Sequence, residues 1–456
     1  MTNALLKFQP ARLFRKSFRH GVRVEGNKHY SEHKRIERLA FPPELYVLLS
    51  QGGGEPAEPI VRPGQEVARG EPIARPGGEN SVALHAPATG TVKSIDLVPT
   101  AEGPREKAII ISVYAGDTQA VSYGTAQNVD NLTPDELVRA VEDAGVIGPA
   151  ESGNPARAKL FPSSGPAIET VIINGCESEP YLTAVHRTML EKPDALIEGI
   201  RIIMKATGSK RTIIATEDNK LDAARVIADA LPENSGISVK VLKTKYPQGA
   251  ERMLTKALLN REIPSGKSAQ AIGIGVFNAA TAAQIGELLP RGRGVIERTI
   301  TVSGPGIGKP GNYTVPIGTP LGFILRRLDY HGTAKYLVNG GSMTGETVAS
   351  LDVPITKATE GFLVFRPEDL EYRVNDSYPC ISCGACLTAC PVNLNPAQLG
   401  KLAARREYVE MGDYNLFECI ECGACSYVCP SGIPLLQHFR VAKVMYEEEK
   451  AAEEHE

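Results

Sequence analysis

Eight of the nine cysteines in this 456-residue chain lie in one stretch, residues 380–430. They form two near copies of one phrase, CISCGACLTACP at residues 380–391 and CIECGACSYVCP at residues 419–430. Each copy has the spacing C-x2-C-x2-C-x3-C-P, which brings three thiols onto one short loop. The Gly-Ala pair in each copy lets the backbone bend around a metal centre and turn amide N–H groups toward it. The stretch therefore predicts a small domain organised by two metal centres.

This spacing is the run that ligates [4Fe–4S] clusters in two-cluster ferredoxins, in which the fourth cysteine of each run ligates the other cluster. A structural zinc site would instead need two C-x2-C pairs separated by a longer loop. Disulfides would need an oxidising compartment and usually a short secreted chain. We therefore predict two [4Fe–4S] clusters, the first held by Cys380, Cys383, Cys386 and Cys429 and the second by Cys390, Cys419, Cys422 and Cys425.

The composition is that of a globular protein, with 42% hydrophobic residues and a net charge of −3. The slight acidity argues against general nucleic-acid binding. Reduced cysteines favour the cytosolic side of a membrane. The longest uncharged stretch, residues 268–286, is broken by glycines and polar residues, so we predict no transmembrane helix and expect partners to provide any membrane attachment.

The first 115 residues divide into two predicted parts. Residues 1–24 carry six basic residues and no acidic one, so we predict that residues 1–40 form a basic arm that meets a partner or an anionic membrane surface. A merely solvated tail is the alternative. Short apolar runs broken by Gly and Pro over residues 41–115 predict a barrel-sandwich hybrid, the fold of biotinyl and lipoyl carrier domains. The tip at residues 76–81 has no lysine to modify, so this is expected to be a structural module.

Strands alternate with helices from about residue 130 to 295, which predicts a Rossmann-like α/β domain with a parallel sheet. The predicted strands cover residues 170–173, 211–216, 237–242 and 271–277. Ligands of such sheets bind at the carboxyl ends of the strands. The loop NGCESEP at residues 174–180 is therefore a candidate binding loop, and an ordinary polar strand-to-helix loop is the alternative. Cys176 is expected to be a buried, inert thiol.

Residues 296–350 read as two strands and a helix, similar to a β-grasp module of the soluble-ligand-binding (SLBB) kind, with docking between domains as its expected role. Residues 370–445 hold the cysteine runs and a helical spacer, so we predict an α-helical two-cluster ferredoxin domain. The predicted fold class is thus multidomain α/β, with a barrel-sandwich hybrid, a Rossmann-like domain, a β-grasp module and a ferredoxin domain.

This order of modules resembles the RnfC family, the C subunits of Rnf electron-transport complexes, over nearly the whole chain. The phrases that carry the resemblance are NGCESEPYLT (174–183), YPQG (246–249), REIPSG (261–266), the segment 299–319 and both cysteine runs. The central part is also similar to the flavin subunit of respiratory complex I and, more loosely, to a cobalamin reductase. The resemblance implies a peripheral subunit on the cytoplasmic face of the membrane, docked on integral membrane and ferredoxin-like Rnf subunits. It also implies bound FMN and NADH besides the two clusters.

One family motif is altered in this chain. The flavin loop of the family has the form GxGGAGFPTxxKL, whereas residues 148–160 read GPAESGNPARAKL. Glycines let a backbone approach a phosphate closely, Pro149 lacks an N–H, and Glu151 brings negative charge toward that phosphate. We therefore expect NADH binding to be lost and FMN binding to be weakened. The residues of this degenerate FMN site would be Gly148, Gly153, Lys159, Asn174, Glu177 and Glu179.

From the resemblance we predict a subunit of an ion-translocating oxidoreductase that couples electron transfer, from the ferredoxin side to another carrier, to Na⁺ or H⁺ translocation. It would relay electrons through its two clusters and exchange them with a redox carrier protein, and we assign no catalytic residue. Three alternatives stay open. The chain is a functional NADH/FMN dehydrogenase subunit of the same complex, a soluble flavin and iron–sulfur reductase of the cobalamin type, or an assembly scaffold with structural clusters.

Overall fold

The computed structural model describes residues 16–52, 54–148, 155–160, 165–330, 332, 336–370 and 377–454. A first strand, β1 (Ile36–Arg38), precedes two small antiparallel sheets that face each other. Their strands are β2 (Glu44–Leu48), β3 (Glu58–Pro59), β4 (Glu66–Val67), β5 (Pro72–Arg75), β6 (Leu84–His85), β7 (Gly90–Pro99) and β8 (Arg105–Val113). The orders are β2-β8-β7-β4 and β3-β5-β6. Leu45, Ile73 and Ile109 are fully buried between them, because the apolar residues of the short strands point inward.

An α/β domain follows. Helix α1 (Pro134–Asp143) begins with a capping box between Thr133 and Glu136. The other helices are α2 (Arg157–Leu160), α3 (Ala184–Glu191), α4 (Pro193–Thr207), α5 (Leu221–Ala230), α6 (Glu251–Leu259) and α7 (Ala279–Leu288). The strands are β9 (Thr170–Asn174), β10 (Arg211–Glu217), β11 (Ile237–Leu242) and β12 (Ile274–Asn278).

The sheet of this domain is parallel throughout, in the order β11-β10-β9-β12. This confirms the architecture predicted from alternating strands and helices. The fourth strand begins at Ile274 rather than at residue 271, because Ala269–Ile272 form a 3₁₀ turn that ends at Gly273 with φ of 72°. Helices α4 and α7 pack closely, since Gly199 faces the backbone of Ala282.

A six-stranded mixed sheet forms the third module. The strands that follow the α/β domain are β13 (Glu297–Ser303), β14 (Gly311–Pro316), β15 (Tyr336–Asn339), β16 (Glu346–Thr347) and β17 (Gly361–Phe365). Helix α8 (Leu321–Arg327) lies between β14 and β15 in the chain. The order is β1-β14-β13-β17-β15-β16. The module predicted for residues 296–350 therefore extends to Phe365, because β17 pairs in parallel with β13 in the centre of the sheet.

The described part of the N-terminal segment, residues 16–40, packs within the protein and is not the basic arm for a partner or an anionic membrane surface that the sequence predicted. Strand β1 pairs with β14, and Val22 bridges to Tyr246. Lys28 is buried, and its Nζ donates to the carbonyl oxygens of Glu177 at 2.8 Å, Glu179 at 2.6 Å and Leu182. The basic side chain thus satisfies backbone acceptors of the α/β domain. Residues 1–15 of the predicted arm lie outside the described residues.

The C-terminal domain is helical, with α9 (Ala385–Ala389), α10 (Pro396–Arg405), α11 (Tyr408–Asp413), α12 (Ala424–Tyr427) and α13 (Leu435–Glu454). The spacer between the cysteine runs forms two helices, since Arg406 adopts a left-handed conformation with φ of 62° that ends α10. The small hydrophobic core of the C-terminal domain includes Leu399, Met411 and Phe439. In the described part of the chain, no helix is both long enough and apolar enough to cross a bilayer.

Candidate metal centres and the adjoining pocket

The first group of cysteines surrounds a cavity of about 280 Å³ at the surface of the C-terminal domain. Its lining includes Cys380, Cys383, Cys386 and Cys429. Cys380 and Cys383 are exposed. Gly384, with φ of 76°, turns the loop into α9, which carries Cys386. The cavity thus has the four cysteines that the run spacing predicts for one cluster.

The second group surrounds a smaller cavity of about 20 Å³, lined by Cys390, Cys419, Cys422 and Cys425 among others. Burial raises the pKa of Cys422 and Cys425 to about 12, although nearby backbone N–H groups act in the opposite direction. These thiols therefore stay protonated at neutral pH unless a metal displaces the proton.

The donor chemistry of both cavities fits an iron–sulfur cluster. Each offers four sulfur atoms, and the backbone N–H of Leu394 lies 3.3 Å from Cys390 Sγ. N–H groups directed at sulfur offset the negative charge of a thiolate-bound cluster. Among the described residues, no three His, Cys, Asp or Glu side chains are arranged to share one metal ion. A cluster does not need that arrangement, because each thiolate binds a different iron atom.

Neighbouring modules hold the second cysteine loop in place. The Tyr246 hydroxyl lies 2.6 Å from the carbonyl oxygen of Cys422, and Glu418 pairs with Arg252 of α6. A Cβ added to Gly423, where φ is 72°, would lie 2.5 Å from the carbonyl oxygen of Met343. The second loop is therefore wedged between the α/β domain and the six-stranded sheet, whereas the first lies at the surface.

A pocket of about 210 Å³ lies beside the second loop. We call it the strand-end pocket, since Asn174 and Asn278, the last residues of β9 and β12, both line it. Glu177, Glu179 and Cys422 also line it. The structure thus brings the predicted Asn174, Glu177 and Glu179 together where parallel sheets bind ligands.

The polar groups of two of these residues already have partners. Asn174 donates to the carbonyl of Gly249 at 2.8 Å and accepts from the N–H of Cys176 at 3.0 Å. The Glu177 carboxylate accepts from the N–H groups of Val185 and His186 at the start of α3, where negative charge is favourable. The polar groups of both side chains therefore stabilise the conformation of the loop at residues 174–180.

Glu179 is more deeply enclosed. Its carboxylate lies within bonding distance of the Tyr246 hydroxyl, the Thr344 hydroxyl and the N–H of Met343. Burial raises the pKa of Glu179, and these three hydrogen bonds act against that rise. The carboxylate joins the candidate binding loop to the six-stranded sheet and, through Tyr246, to the second cysteine loop.

The other predicted flavin residues lie elsewhere. Gly148 is buried next to Ile147, which bridges to Pro155. Lys159 donates to the carbonyl of Val276 at 2.8 Å and lies 3.7 Å from the Glu251 carboxylate. Neither of these two described residues lines the strand-end pocket. Gly153, with the altered segment 149–154, lies outside the described residues.

The sequence prediction missed two charged residues of this pocket, Arg298 and Glu360. Burial lowers the pKa of Arg298 to about 10 and raises that of Glu360 to about 7. Both belong to the six-stranded sheet module, and only the three-dimensional packing brings them to the end of β9. The sequence shows only that Arg298 begins a strand in which Ile300 and Val302 alternate with threonines, and this pattern does not indicate which residues Arg298 would contact.

Three family models match the chain. They are an "RnfC Barrel sandwich hybrid domain" over residues 16–115, a "Nuo51 FMN-binding domain" over residues 141–287 and a "4Fe-4S dicluster domain" over residues 376–433. In fold, the chain is similar to a chain of an NAD⁺-reducing [NiFe]-hydrogenase, with a TM-score of 0.51 and 18% identity over 70% of this chain and 63% of that one.

Curated relatives span most of the chain. The C subunit of the proton-translocating ferredoxin:NAD⁺ oxidoreductase complex of Clostridium ljungdahlii is 36% identical, covering 84% of each chain. The Na⁺-translocating counterpart of Acetobacterium woodii is 33% identical over 80% of this chain and 81% of its own. The C subunit of the ion-translocating oxidoreductase complex of Haemophilus influenzae is 34% identical over 97% of this chain and 68% of its own. The chain therefore belongs to the RnfC family, the C subunits of ion-translocating oxidoreductase complexes.

Proposed function

We propose that this chain is the peripheral iron–sulfur subunit of a membrane-bound Rnf complex, held on the cytoplasmic face by integral membrane subunits. It passes electrons between the ferredoxin side of the complex and another carrier, and the other subunits couple this flow to Na⁺ or H⁺ translocation. The observation that carries the proposal is the division of eight cysteines between two cavities, one at the surface and one wedged between two other modules.

The ligand sets follow from the cavity linings. Cys380, Cys383, Cys386 and Cys429 would hold the first [4Fe–4S] cluster, and Cys390, Cys419, Cys422 and Cys425 the second. Bound there, the clusters supply one-electron transfer. The chain contributes burial and backbone N–H groups, which set the potential of such centres.

The surface position of the first site supports its role as the point of exchange with a redox carrier protein, such as the ferredoxin-like subunit. Large apolar side chains beside it are exposed, namely Tyr378 at 63%, Ile381 at 67% and Tyr427 at 55%. Weak redox encounters use small contact surfaces, and exposed apolar patches often mark interaction sites. The second site, which lies between the α/β domain and the six-stranded sheet, would then be the inner of the two electron-transfer centres.

We further propose that the strand-end pocket no longer binds NADH and binds FMN weakly. Its volume of about 210 Å³ is below the roughly 300–1,000 Å³ of typical ligand pockets. Asn174, Glu177 and Glu179 are already hydrogen-bonded within the protein. Pro149 and Glu151 also replace residues of a phosphate-binding loop by ones that disfavour it.

A functional NADH/FMN subunit of the same complex is the second candidate. It is favoured by the match of residues 141–287 to a Nuo51 FMN-binding domain. The two candidates agree on the clusters and differ only in what the strand-end pocket holds.

The deciding experiment uses anaerobically purified protein with both clusters present. Iron and sulfide analysis and electron paramagnetic resonance would test the clusters, with Cys422→Ala compared with the control Cys176→Ala, since Cys176 lies outside both runs. Only the Cys422 variant should lose about half of the iron. Flavin extraction followed by NADH titration tests the pocket. Stoichiometric flavin that NADH reduces would establish the second candidate, and a chain lacking two clusters would refute both.

A further inference from the structure

Another cavity, of about 330 Å³, lies where three modules of the protein meet. We call it the junction cavity. Arg69 reaches it from the two small sheets, Lys192 and Glu287 from the helices of the α/β domain, and Arg38 and Glu297 from the six-stranded sheet. Its lining residues all precede residue 315, so it is remote in sequence from both cysteine runs.

The lining carries a large excess of positive charge. Two carboxylates, Glu287 and Glu297, face five cationic side chains, which leaves a net charge of +3 on the lining. The cationic residues are Arg38, Arg69, Lys192, Arg291 and Arg293. Like charges gathered in a partly enclosed space repel one another, more strongly there than in bulk water.

Both lining carboxylates are already paired with cations. Arg38 contacts both carboxylate oxygens of Glu297, at 2.6 and 2.7 Å, and Arg69 contacts one of them at 2.6 Å. Glu287 lies 2.8 Å from Lys192 and 3.8 Å from Arg291. Each carboxylate is therefore shared by two cations, so neither neutralises its whole neighbourhood.

One arginine of the lining contacts only a neutral group there. Arg293 donates to the carbonyl oxygen of Val121 at a long 3.5 Å. Arg298 also borders the junction cavity, but its guanidinium donates to the carbonyl oxygens of Thr359 and Lys357 beside the carboxyl of Glu360, so its charge belongs to the strand-end pocket. Guanidinium groups present planar pairs of donors that match the oxygens of a phosphate.

Some of this charge has a structural role. Glu297 ties Arg38 of β1 to Arg69 of the small sheets, which joins two modules without any ligand. That role accounts for Arg38 and Arg69. It does not account for the concentration of Lys192, Arg291 and Arg293 around the same space.

We propose that the junction cavity binds the phosphate group of a small phosphorylated molecule. The volume lies within the range of ligand pockets, about 300–1,000 Å³. Apolar lining residues, including Val121, Leu288 and Ile296, offer a surface for the organic part of such a molecule. A ligand held here contacts three modules at once, so its binding stabilises their mutual arrangement. The proposal is independent of whether the strand-end pocket holds a flavin.

The test is calorimetric titration of the full-length, cluster-containing protein with inorganic phosphate, ribose 5-phosphate and AMP at low ionic strength. We expect saturable binding of one molecule per chain and a higher melting temperature with ligand. Tighter binding of AMP than of inorganic phosphate would identify a nucleoside phosphate as the preferred source, whereas equal binding would identify free phosphate.

Arg293→Gln should weaken binding about tenfold or more, because it removes a charged donor from the cavity. Arg201→Gln is the matched control, since Arg201 is half-exposed and paired with Asp130 and Glu198 outside the cavity. If Arg293→Gln lowers the melting temperature of the free protein, Lys192→Gln takes its place. The proposal is overturned if none of the three probes binds saturably, or if the cavity variant and the control bind equally well.

Discussion

The hydroxyl of Tyr246 lies 2.6 Å from the carbonyl oxygen of Cys422 and 3.1 Å from a carboxylate oxygen of Glu179. A hydroxyl has one proton to donate, and the shorter distance assigns it to Cys422. One side chain thus joins the strand-end pocket to the second cysteine loop.

Tyr246→Phe should loosen the second cysteine loop. The change leaves the carbonyl of Cys422 without this donor in a buried setting, which costs about 1–3 kcal/mol of unfolding free energy. We expect faster loss of half of the iron to a chelator, measured by absorbance, and a lower melting temperature. Tyr313→Phe is the control, since Tyr313 donates to the carbonyl of Lys309, far from either run. Equal rates of iron loss in the two variants would contradict this role.

The two glycines that turn the cysteine loops should differ in their tolerance of alanine. Gly384 and Gly423 both have positive φ, so either substitution costs about 1–2 kcal/mol of backbone strain. At Gly384 the nearest other atom to an added Cβ is 4.0 Å away, whereas at Gly423 it is the carbonyl oxygen of Met343 at 2.5 Å. Gly423→Ala should therefore lower the melting temperature and the iron content more than Gly384→Ala. The reverse order would show that the second loop is not wedged against the sheet.

Lys28→Met should destabilise the protein although Lys28 lies in the basic N-terminal segment. Its ammonium group donates to three carbonyl oxygens, and leaving buried acceptors unpaired costs about 1–3 kcal/mol each. Thermal unfolding followed by circular dichroism would measure the loss. Lys34→Met is a suitable control because the single bond of Lys34, to the carbonyl of Pro310, is exposed and water can replace it. Similar melting temperatures for the two variants would refute the prediction.

Lys357 should make stability depend on pH. Burial lowers its pKa from 10.5 to about 7, and its Nζ donates to the carbonyls of Ala83 and Gly145. Below about pH 7 both the folded and unfolded chains hold the proton, so the cost of burying the charge is fully present. Between about pH 7 and 10.5 the folded chain releases a proton that the unfolded chain keeps, so stability rises with pH.

The measurement is the difference in melting temperature between the wild type and Lys357→Met, at about pH 6.5 and about pH 8.5. As the pH rises, the melting temperature of the wild type should increase relative to that of the variant. Taking the difference removes the contribution of Glu360, whose pKa burial raises to about 7 in both proteins. A constant difference would mean that Lys357 stays protonated in the folded state.

The sequence predicted those parts of the structure that depend on local pattern. Apolar runs at β9 to β12 marked the parallel sheet, and the spacing of the cysteines predicted which of them line each cavity. Cluster binding itself stays a prediction. The contacts of Lys28 and Tyr246 were not predictable, because their partners lie 149 and 176 residues away in the chain. Charge alone suggested a basic arm for a partner or an anionic membrane surface, whereas tertiary packing directs Lys28 inward.

The pairing of β1 with β14 also bears on how the protein is made. Ile36 lies opposite Asn312, so β1 leaves the ribosome long before the strand with which it pairs. Until then β1 is an open edge with no sheet to join. Contacts of such long sequence separation form slowly. The N-terminal segment is thus synthesised before its partner strand but reaches its final position late in folding, after the six-stranded sheet has formed around β14.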